Sequence, residues 1–132
     1  MTVTDSIGDM LTTIRNGLLL YKHVVHTPSS KLKLNILKIL QEEGYIKSFK
    51  EKDLKKRIKE IEISLSYFHG KPSIKIINRV SKPGRRVYSK LKDLPSFFKG
   101  YGITIVSTSK GVMTDKKARI SNLSGEVLCQ IF

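Results

Sequence analysis

The sequence is poor in the residues on which several protein classes depend. A single cysteine, Cys129, among 132 residues excludes an intramolecular disulfide and suits a reducing compartment. No apolar run approaches the roughly 18–20 residues of a membrane-spanning helix. The start of the chain carries acidic residues in place of a basic leader with an apolar segment, so we expect no secretory signal. We therefore expect a protein of the cytoplasm, with an organelle as the alternative.

The motifs of common enzyme classes are also missing. The chain has no nucleophile elbow, no P-loop and no dinucleotide glycine fingerprint. His23 and His26 are three residues apart in a predicted strand and so face opposite sides, which makes them poor co-ligands for a metal. Cys129 lies among apolar residues, as a buried side chain does more often than a nucleophile. We expect no active site, cofactor or metal; a hydrolase or transferase that uses Ser107 or Cys129 is a rival class.

Acidic residues are scarce and basic residues abundant. The chain has 25 lysines and arginines against 11 aspartates and glutamates, a net charge of +14 with a pI near 10.0. Residues 1–70 carry 12 basic and 8 acidic side chains (+4), whereas residues 71–132 carry 13 and 3 (+10). A field of this sign attracts polyanions. The charge therefore favours nucleic acid over a membrane surface or an acidic protein as the partner.

The first half of the chain has the pattern of a helix, a strand, a second helix and three strands. Apolar residues recur at helical spacing near the start, with Asp5 or Ser6 as N-cap, and again after Pro28, with Ser29 or Ser30 as N-cap. Strict alternation of apolar and polar residues predicts strands. In chain order we predict a helix at 7–18, a strand at 23–27, a helix ending at Gly44, strands at 45–49, 61–67 and 73–78, and a solvated hairpin tip at 50–59.

The composition changes after Asn78, where proline, glycine and basic residues mix. We place a domain boundary near Val80, which divides the chain into domains 1–79 and 80–132. The second domain is predicted to be mainly β. Its predicted elements are a strand at 86–88, a turn or short helix at 91–94, a strand at 103–108, a short helix from Thr114 or Asp115, and a strand at 125–132. The fold class is α+β, with a helix–strand–helix–three-strand domain followed by a mainly β domain with short helices.

Two segments carry residues suited to recognition. "SKPGRRVY" places Lys82, Arg85 and Arg86 around a Pro-Gly turn, followed by Tyr88. Cations hold phosphate, and an aromatic ring can stack on an exposed base. "TPSSK" offers backbone N–H groups at a helix start together with hydroxyls and Lys31. A solvated basic turn with a buried tyrosine, and simple helix capping, are the alternatives.

A third segment, "STSKG", places Ser107, Thr108 and Ser109 directly before Lys110 and Gly111. Hydroxyls both donate and accept hydrogen bonds, so they can meet base edges, ribose hydroxyls or phosphates. The lysine supplies a cation, and the glycine allows close approach of the backbone. We interpret the loop as an RNA reader; a polar turn whose hydroxyls bond only to the backbone is the alternative.

The segments "DMLTTIRNG", "PSSKLK", "RVSKPGRRVY", "STSKGVMTD" and "SGEVLC" occur in this order between Asp5 and Cys129. Together they resemble the bacterial-type family of small-subunit ribosomal protein S-eight. The resemblance implies a two-domain protein that binds a stem in the central domain of 16S rRNA early in small-subunit assembly. It also implies neighbouring small-subunit proteins as partners and, in many bacteria, repression of its own messenger through a similar RNA stem.

The resemblance assigns the principal RNA contact to the hydroxyl-rich loop and to Glu126, with backbone contacts near Ser30 and Lys31 in the first domain. Family members usually carry two glycines before this glutamate, whereas Ser124 precedes Gly125 here, which puts the tightness of the turn in question. With the residue chemistry above, the predicted RNA-binding residues are Ser30, Lys31, Arg86, Tyr88, Ser107, Thr108, Ser109, Lys110 and Glu126.

We expect the protein to be a monomer when free and to function in a cytoplasmic ribosome, with an organellar ribosome as the alternative. The charge alone supports only a basic RNA- or DNA-binding protein. A general nucleic-acid-binding protein outside the ribosome, including a sequence-tolerant DNA-binding protein, is therefore the alternative function.

Overall fold

The computed structural model describes residues 5–89 and 102–132. Backbone contacts divide the chain into two compact units. The first unit is Asp9–Ile74, and the second consists of residues 5–8 with Lys75–Phe132. The predicted domain boundary between 79 and 80 stays a prediction, and the division between the units falls five residues earlier. The predicted turn or short helix at 91–94 lies outside the described residues.

Helical spacing and caps define the two helices of the first half. Its elements are α1 (Ser6–Leu19), β1 (Val24–Pro28), α2 (Lys31–Glu42), β2 (Ile46–Lys55), β3 (Ile58–Leu65), β4 (Tyr67–Phe68) and β5 (Lys71–Pro72). Asp5 caps α1 by accepting a hydrogen bond from the Gly8 N–H at 3.1 Å. Ser30 caps α2 by accepting one from the Lys33 N–H at 3.2 Å. Gly44, with φ of +81°, follows the end of α2 in the left-handed conformation that favours glycine.

The sheet of the first unit is antiparallel, in the order β1-β3-β2. Its apolar face is made of side chains that alternate along each strand. Helix α2 packs against β2, and α1 approaches Val25 and Leu65 at Gly17. Val25 of β1 lies opposite Ile63 of β3, and both are buried. The far end of the β2–β3 hairpin is exposed, as predicted for 50–59, and turns at residues 56–57.

Residues 73–78 do not return to this sheet, so the prediction of a strand there that completes the first domain is wrong. The third strand of the sheet is β1 instead. Lys71–Pro72 forms a two-stranded ribbon with Tyr67–Phe68, and Ile77–Arg79 pairs with the last strand of the chain. Alternation indicates a strand without indicating its partner, which depends on contacts distant in sequence.

The second unit is mainly β, and the overall α+β class is as predicted. Its elements are β6 (Ile77–Arg79), β7 (Tyr88–Ser89), β8 (Ile103–Thr108), β9 (Gly111–Thr114), α3 (Asp115–Ile120) and β10 (Gly125–Ile131). The antiparallel sheet has the order β6-β10-β8-β9, and β7 also pairs with β10. Thr114 caps α3 through a hydrogen bond from the Lys117 N–H at 3.2 Å. The predicted helix start is therefore confirmed.

Helix α3 closes one face of the sheet in the second unit. Val106, Met113 and Val127 form a buried cluster with Ala118 of the helix. Residues that alternate with these along the strands face the other way. None of the helices in the described ranges is long and apolar enough to cross a membrane.

Candidate nucleic-acid interface

The strand register of the second unit brings residues from four strands onto one outward face. Tyr88 of β7 lies opposite Glu126 of β10, and Glu126 lies opposite Ser107 of β8. Ser107 in turn lies opposite Val112 of β9. Directly opposed residues in antiparallel strands share a face of the sheet and interact through their side chains. We call these four residues the outward row.

Arg86 joins the outward row through an ion pair. Its Nη1 lies 3.3 Å from Oε2 of Glu126, whose side chain is only 17% exposed, whereas the Arg86 side chain is 46% exposed. Tyr88 is 70% exposed. A carboxylate can accept a hydrogen bond from a base amino group, a guanidinium can hold phosphate, and an exposed ring can stack on a base. The face therefore combines the three kinds of contact that RNA recognition uses.

Gly125 determines how closely β8 and β10 approach beside the outward row. A Cβ atom at this position would lie 2.0 Å from the Ser107 carbonyl oxygen and 2.9 Å from its carbonyl carbon. Any other residue would therefore force the two strands apart. Ser124, the departure from the family pattern, is exposed and lies before the strand, whereas the close approach to β8 is at Gly125. Sequence reasoning did not include Gly125 among the site residues, although its place directly before Glu126 was a signal.

The hydroxyls of the β8–β9 hairpin differ in their surroundings. The Thr108 hydroxyl donates to the Gly111 carbonyl oxygen at 2.8 Å and accepts from the Lys110 N–H at 3.2 Å. Within the described residues, the hydroxyls of Ser107 and Ser109 have no such partner. The Thr108 hydroxyl therefore bonds within the turn, whereas those of Ser107 and Ser109 do not. Ser109 and Lys110 are exposed.

Ser30 and Lys31 belong to the first unit, where Ser30 caps α2 and Lys31 is exposed at its first turn. Beneath them, Lys33 is 3% exposed, and its ammonium group donates to the Pro28 carbonyl oxygen at 2.9 Å and to the Thr27 hydroxyl at 3.3 Å. Burial lowers the pKa of Lys33. Sequence reasoning missed this lysine, because helical spacing alone does not show that a charged side chain is buried. The helix start is held firmly in place.

Cys129, one of the two residues named for the rival enzyme class, lacks the surroundings of a nucleophile. Cys129 is fully buried, and its burial raises the pKa of the thiol to about 12. A thiolate therefore does not form at neutral pH, and the thiolate is the nucleophilic form. Across residues 5–89 and 102–132, no three histidine, cysteine or acidic side chains come together as a possible metal site.

Comparison with known proteins agrees with these features. Residues 5–132 match the family described as "Ribosomal protein S8". A protein named "Small ribosomal subunit protein uS8" from Rhodospirillum centenum is 49% identical over 132 residues, which is 100% of both chains. Proteins of the same name from Cereibacter sphaeroides and Maricaulis maris are each 52% identical, over 100% and 99% of both chains. The matched range extends through both units and spans the positions of all predicted RNA-binding residues, and the chain therefore belongs to the ribosomal protein S8 family.

Proposed function

We propose that this protein is a structural component of the small ribosomal subunit that binds a stem in the central domain of 16S rRNA and supports early assembly of the subunit. Membership of the family supports the ribosomal assignment. The observation that carries the RNA contact is the outward row, in which Tyr88, Glu126 and Ser107 share one face of a sheet, with Arg86 paired to Glu126. Its role is binding and involves no chemical reaction.

The chemistry of the outward row fits an irregular RNA stem. Side chains do not reach into the deep, narrow major groove of regular A-form RNA, so recognition uses unstacked bases or the open minor groove. Ser107 can meet a base edge or a ribose hydroxyl, and Tyr88 can stack on an unpaired base. Arg86 can leave Glu126 for a phosphate, because its guanidinium is half exposed and a single ion pair with water access contributes only about 1 kcal/mol or less. Glu126 is then able to accept from a base amino group.

The charge of the chain supports the same function. Residues 71–132 carry a balance of +10, which steers association with a polyanion. We include neighbouring small-subunit proteins as partners. Repression of the protein's own messenger would follow if that messenger contained a similar stem, because the two RNAs would compete for one surface.

The test is binding of the full chain to a transcribed stem from the 16S central domain and to a scrambled stem at equal salt. We expect Ser107→Ala to weaken binding of the cognate stem about five- to 150-fold, because an RNA group is left unpaired. Glu126→Gln should reduce discrimination between the two stems. Lys116→Ala, which removes an exposed charge on α3, is the matched control and should weaken both stems equally.

Competition with duplex DNA separates this proposal from a general nucleic-acid-binding protein. We expect duplex DNA to compete poorly with the cognate stem at matched salt. Equal competition, together with equal binding of the scrambled stem, would overturn the proposal in favour of sequence-tolerant binding outside the ribosome.

A further inference from the structure

A cleft of about 400 Å³ opens in the first unit, between the C-terminal part of α1 and β1. Apolar and polar side chains both line it, among them Leu20, Val24, Val25, Asn16, Lys22 and His26. Its size suits a small ligand or one nucleotide of a larger one, because pockets for such ligands begin at about 300 Å³. None of these residues belongs to the outward row.

The floor of the cleft is formed where α1 approaches the sheet closely. At Gly17, which lines the cleft, a Cβ atom would lie 2.5 Å from Cγ1 of Val25 and 3.1 Å from Cδ1 of Leu65. The helix therefore approaches the sheet as closely as its backbone allows. Since both contacted side chains are buried, the floor of the cleft belongs to the packed core.

Two polar side chains of the cleft, Asn16 and Lys22, are available to a ligand, whereas the Thr13 hydroxyl donates to the Asp9 carbonyl oxygen at 2.9 Å. The Asn16 amide and the Lys22 ammonium make no hydrogen bond or ion pair with another residue in the described parts of the chain. His26 lies 3.9 Å from the Glu60 carboxylate, and no carboxylate lines the cleft itself. An uncompensated lysine beside an amide and an apolar wall suits a ligand with an anionic group, hydrogen-bonding edges and an apolar face. A nucleotide has all three.

Tyr21, which precedes Lys22 in the chain, belongs to an aromatic pair outside the lining of the cleft. The ring of Tyr21 stacks on that of Tyr67, with centroids 5.6 Å apart and planes inclined by 20°. The Tyr67 hydroxyl donates to the Lys22 carbonyl oxygen at 2.6 Å, which fixes the pair to this segment. Tyr21 has φ of +53°, in the left-handed region, and its side chain is 58% exposed. This φ belongs to the C-terminal cap of α1, in which the Tyr21 N–H donates to the Leu18 carbonyl oxygen at 3.2 Å and the Lys22 N–H to the Gly17 carbonyl oxygen at 2.9 Å. The cap leaves the Tyr21 ring exposed, so its surface is open to stacking.

We propose that this cleft, with the Tyr21–Tyr67 pair beside Lys22, binds one unpaired nucleotide of an RNA. The nucleotide's phosphate pairs with Lys22, its base edge bonds to the Asn16 amide, and aromatic stacking adds to the affinity. Nucleotide binding follows from the chemistry of the cleft, whereas RNA as its source rests on the proposed function. An acidic peptide is the competing ligand that the experiment has to exclude.

The experiment is a titration of the full chain with each of four probes, monitored by the NMR signals of individual residues. The probes are hexa-adenylate RNA, adenosine monophosphate, a blunt RNA duplex and a hexaglutamate peptide. We expect hexa-adenylate to shift the signals of Asn16, Lys22 and His26 and to bind more tightly than the mononucleotide. Equal affinities of those two probes would assign the cleft to free nucleotides and overturn RNA as the source.

Two variants and one control sharpen the test. Tyr21→Gly removes the ring but suits the left-handed backbone, and we expect it to weaken hexa-adenylate about five- to 150-fold, the range for loss of one stacked base. Lys22→Ala should weaken binding of hexa-adenylate at least as much as the control substitution Lys38→Ala does. It should also abolish the shift of the Asn16 signal. Lys38→Ala, which removes an exposed lysine of α2 in the same unit, is the matched control and should leave the Asn16 shift intact.

The inference is overturned if hexa-adenylate shifts other residues only, if Tyr21→Gly binds it as well as the unmodified chain, or if the duplex or the hexaglutamate binds the cleft equally well. These outcomes are independent of the stem-binding test. A chain that distinguishes cognate from scrambled stems through Ser107, but shows no shifts in the cleft, overturns this inference and leaves the proposed function intact.

Discussion

Replacing Thr108 and replacing Ser107 should have opposite consequences, although the two hydroxyl residues are adjacent in the same strand. The Thr108 hydroxyl makes two hydrogen bonds inside the β8–β9 turn, one to the Gly111 carbonyl oxygen and one from the Lys110 N–H. A hydrogen bond contributes about 0.5–1.5 kcal/mol, and water can replace part of this at an exposed turn, so Thr108→Ala should lower the free energy of unfolding by about 1 kcal/mol. For a chain of this size that corresponds to a melting temperature lower by roughly 3–5 °C.

The assay pairs thermal unfolding with affinity for the cognate and scrambled stems. We expect Thr108→Ala to lose stability while keeping discrimination between the stems, and Ser107→Ala to keep its stability while losing discrimination. Thr108→Ser, which keeps the hydroxyl, is the matched control and should resemble the unmodified chain in both measurements. A Thr108→Ala variant that is fully stable but no longer distinguishes the stems would refute this assignment, since the hydroxyl would then contact RNA rather than the turn.

Further predictions concern packing, reactivity, folding and salt. Gly125→Ala should destabilise the protein by roughly 1–3 kcal/mol or more and impair stem binding, because its Cβ would meet the Ser107 carbonyl oxygen; urea unfolding measures the loss. Cys129 should not react with a thiol reagent at pH 8 in the folded protein but should react in denaturant, since burial raises its pKa to about 12. A fragment 80–132, which lacks β6, should be less stable by circular dichroism than a fragment 75–132, which keeps it. If about five phosphates are neutralised, log K for the cognate stem should fall against log salt with a slope of roughly −3.5 to −4.5, and a flat titration would contradict the electrostatic part.

Local patterns predicted much of the fold. Apolar spacing and capping residues indicated α1 and α2, and both caps, Asp5 and Ser30, were among the candidates. The strand at 103–108, the cap at Thr114 and the last strand also follow from short-range signals. These features depend on residues within a few positions of each other, so a single sequence carries the information.

The arrangement of the candidate site depends on longer-range contacts. Tyr88 and Glu126 are far apart in sequence and meet only because β7 pairs with β10 in one particular register. A shift of one residue would move either side chain to the opposite face, and nothing in the local pattern fixes that shift. The distinct roles of Ser107 and Thr108 likewise depend on where the hairpin turns. Strand pairing also decides that β6 belongs to the second unit, which the boundary near Val80 does not reflect.

Hydroxyl-radical footprinting of the full chain on 16S rRNA tests most directly whether the outward row binds a stem. We predict protection of one stem in the central domain, and loss of that protection when Arg86, Tyr88 and Ser107 are all replaced by alanine in a protein that remains folded. Protection scattered over the whole RNA, or a protected stem that is unchanged in the triple variant, would contradict the assignment of RNA binding to this face.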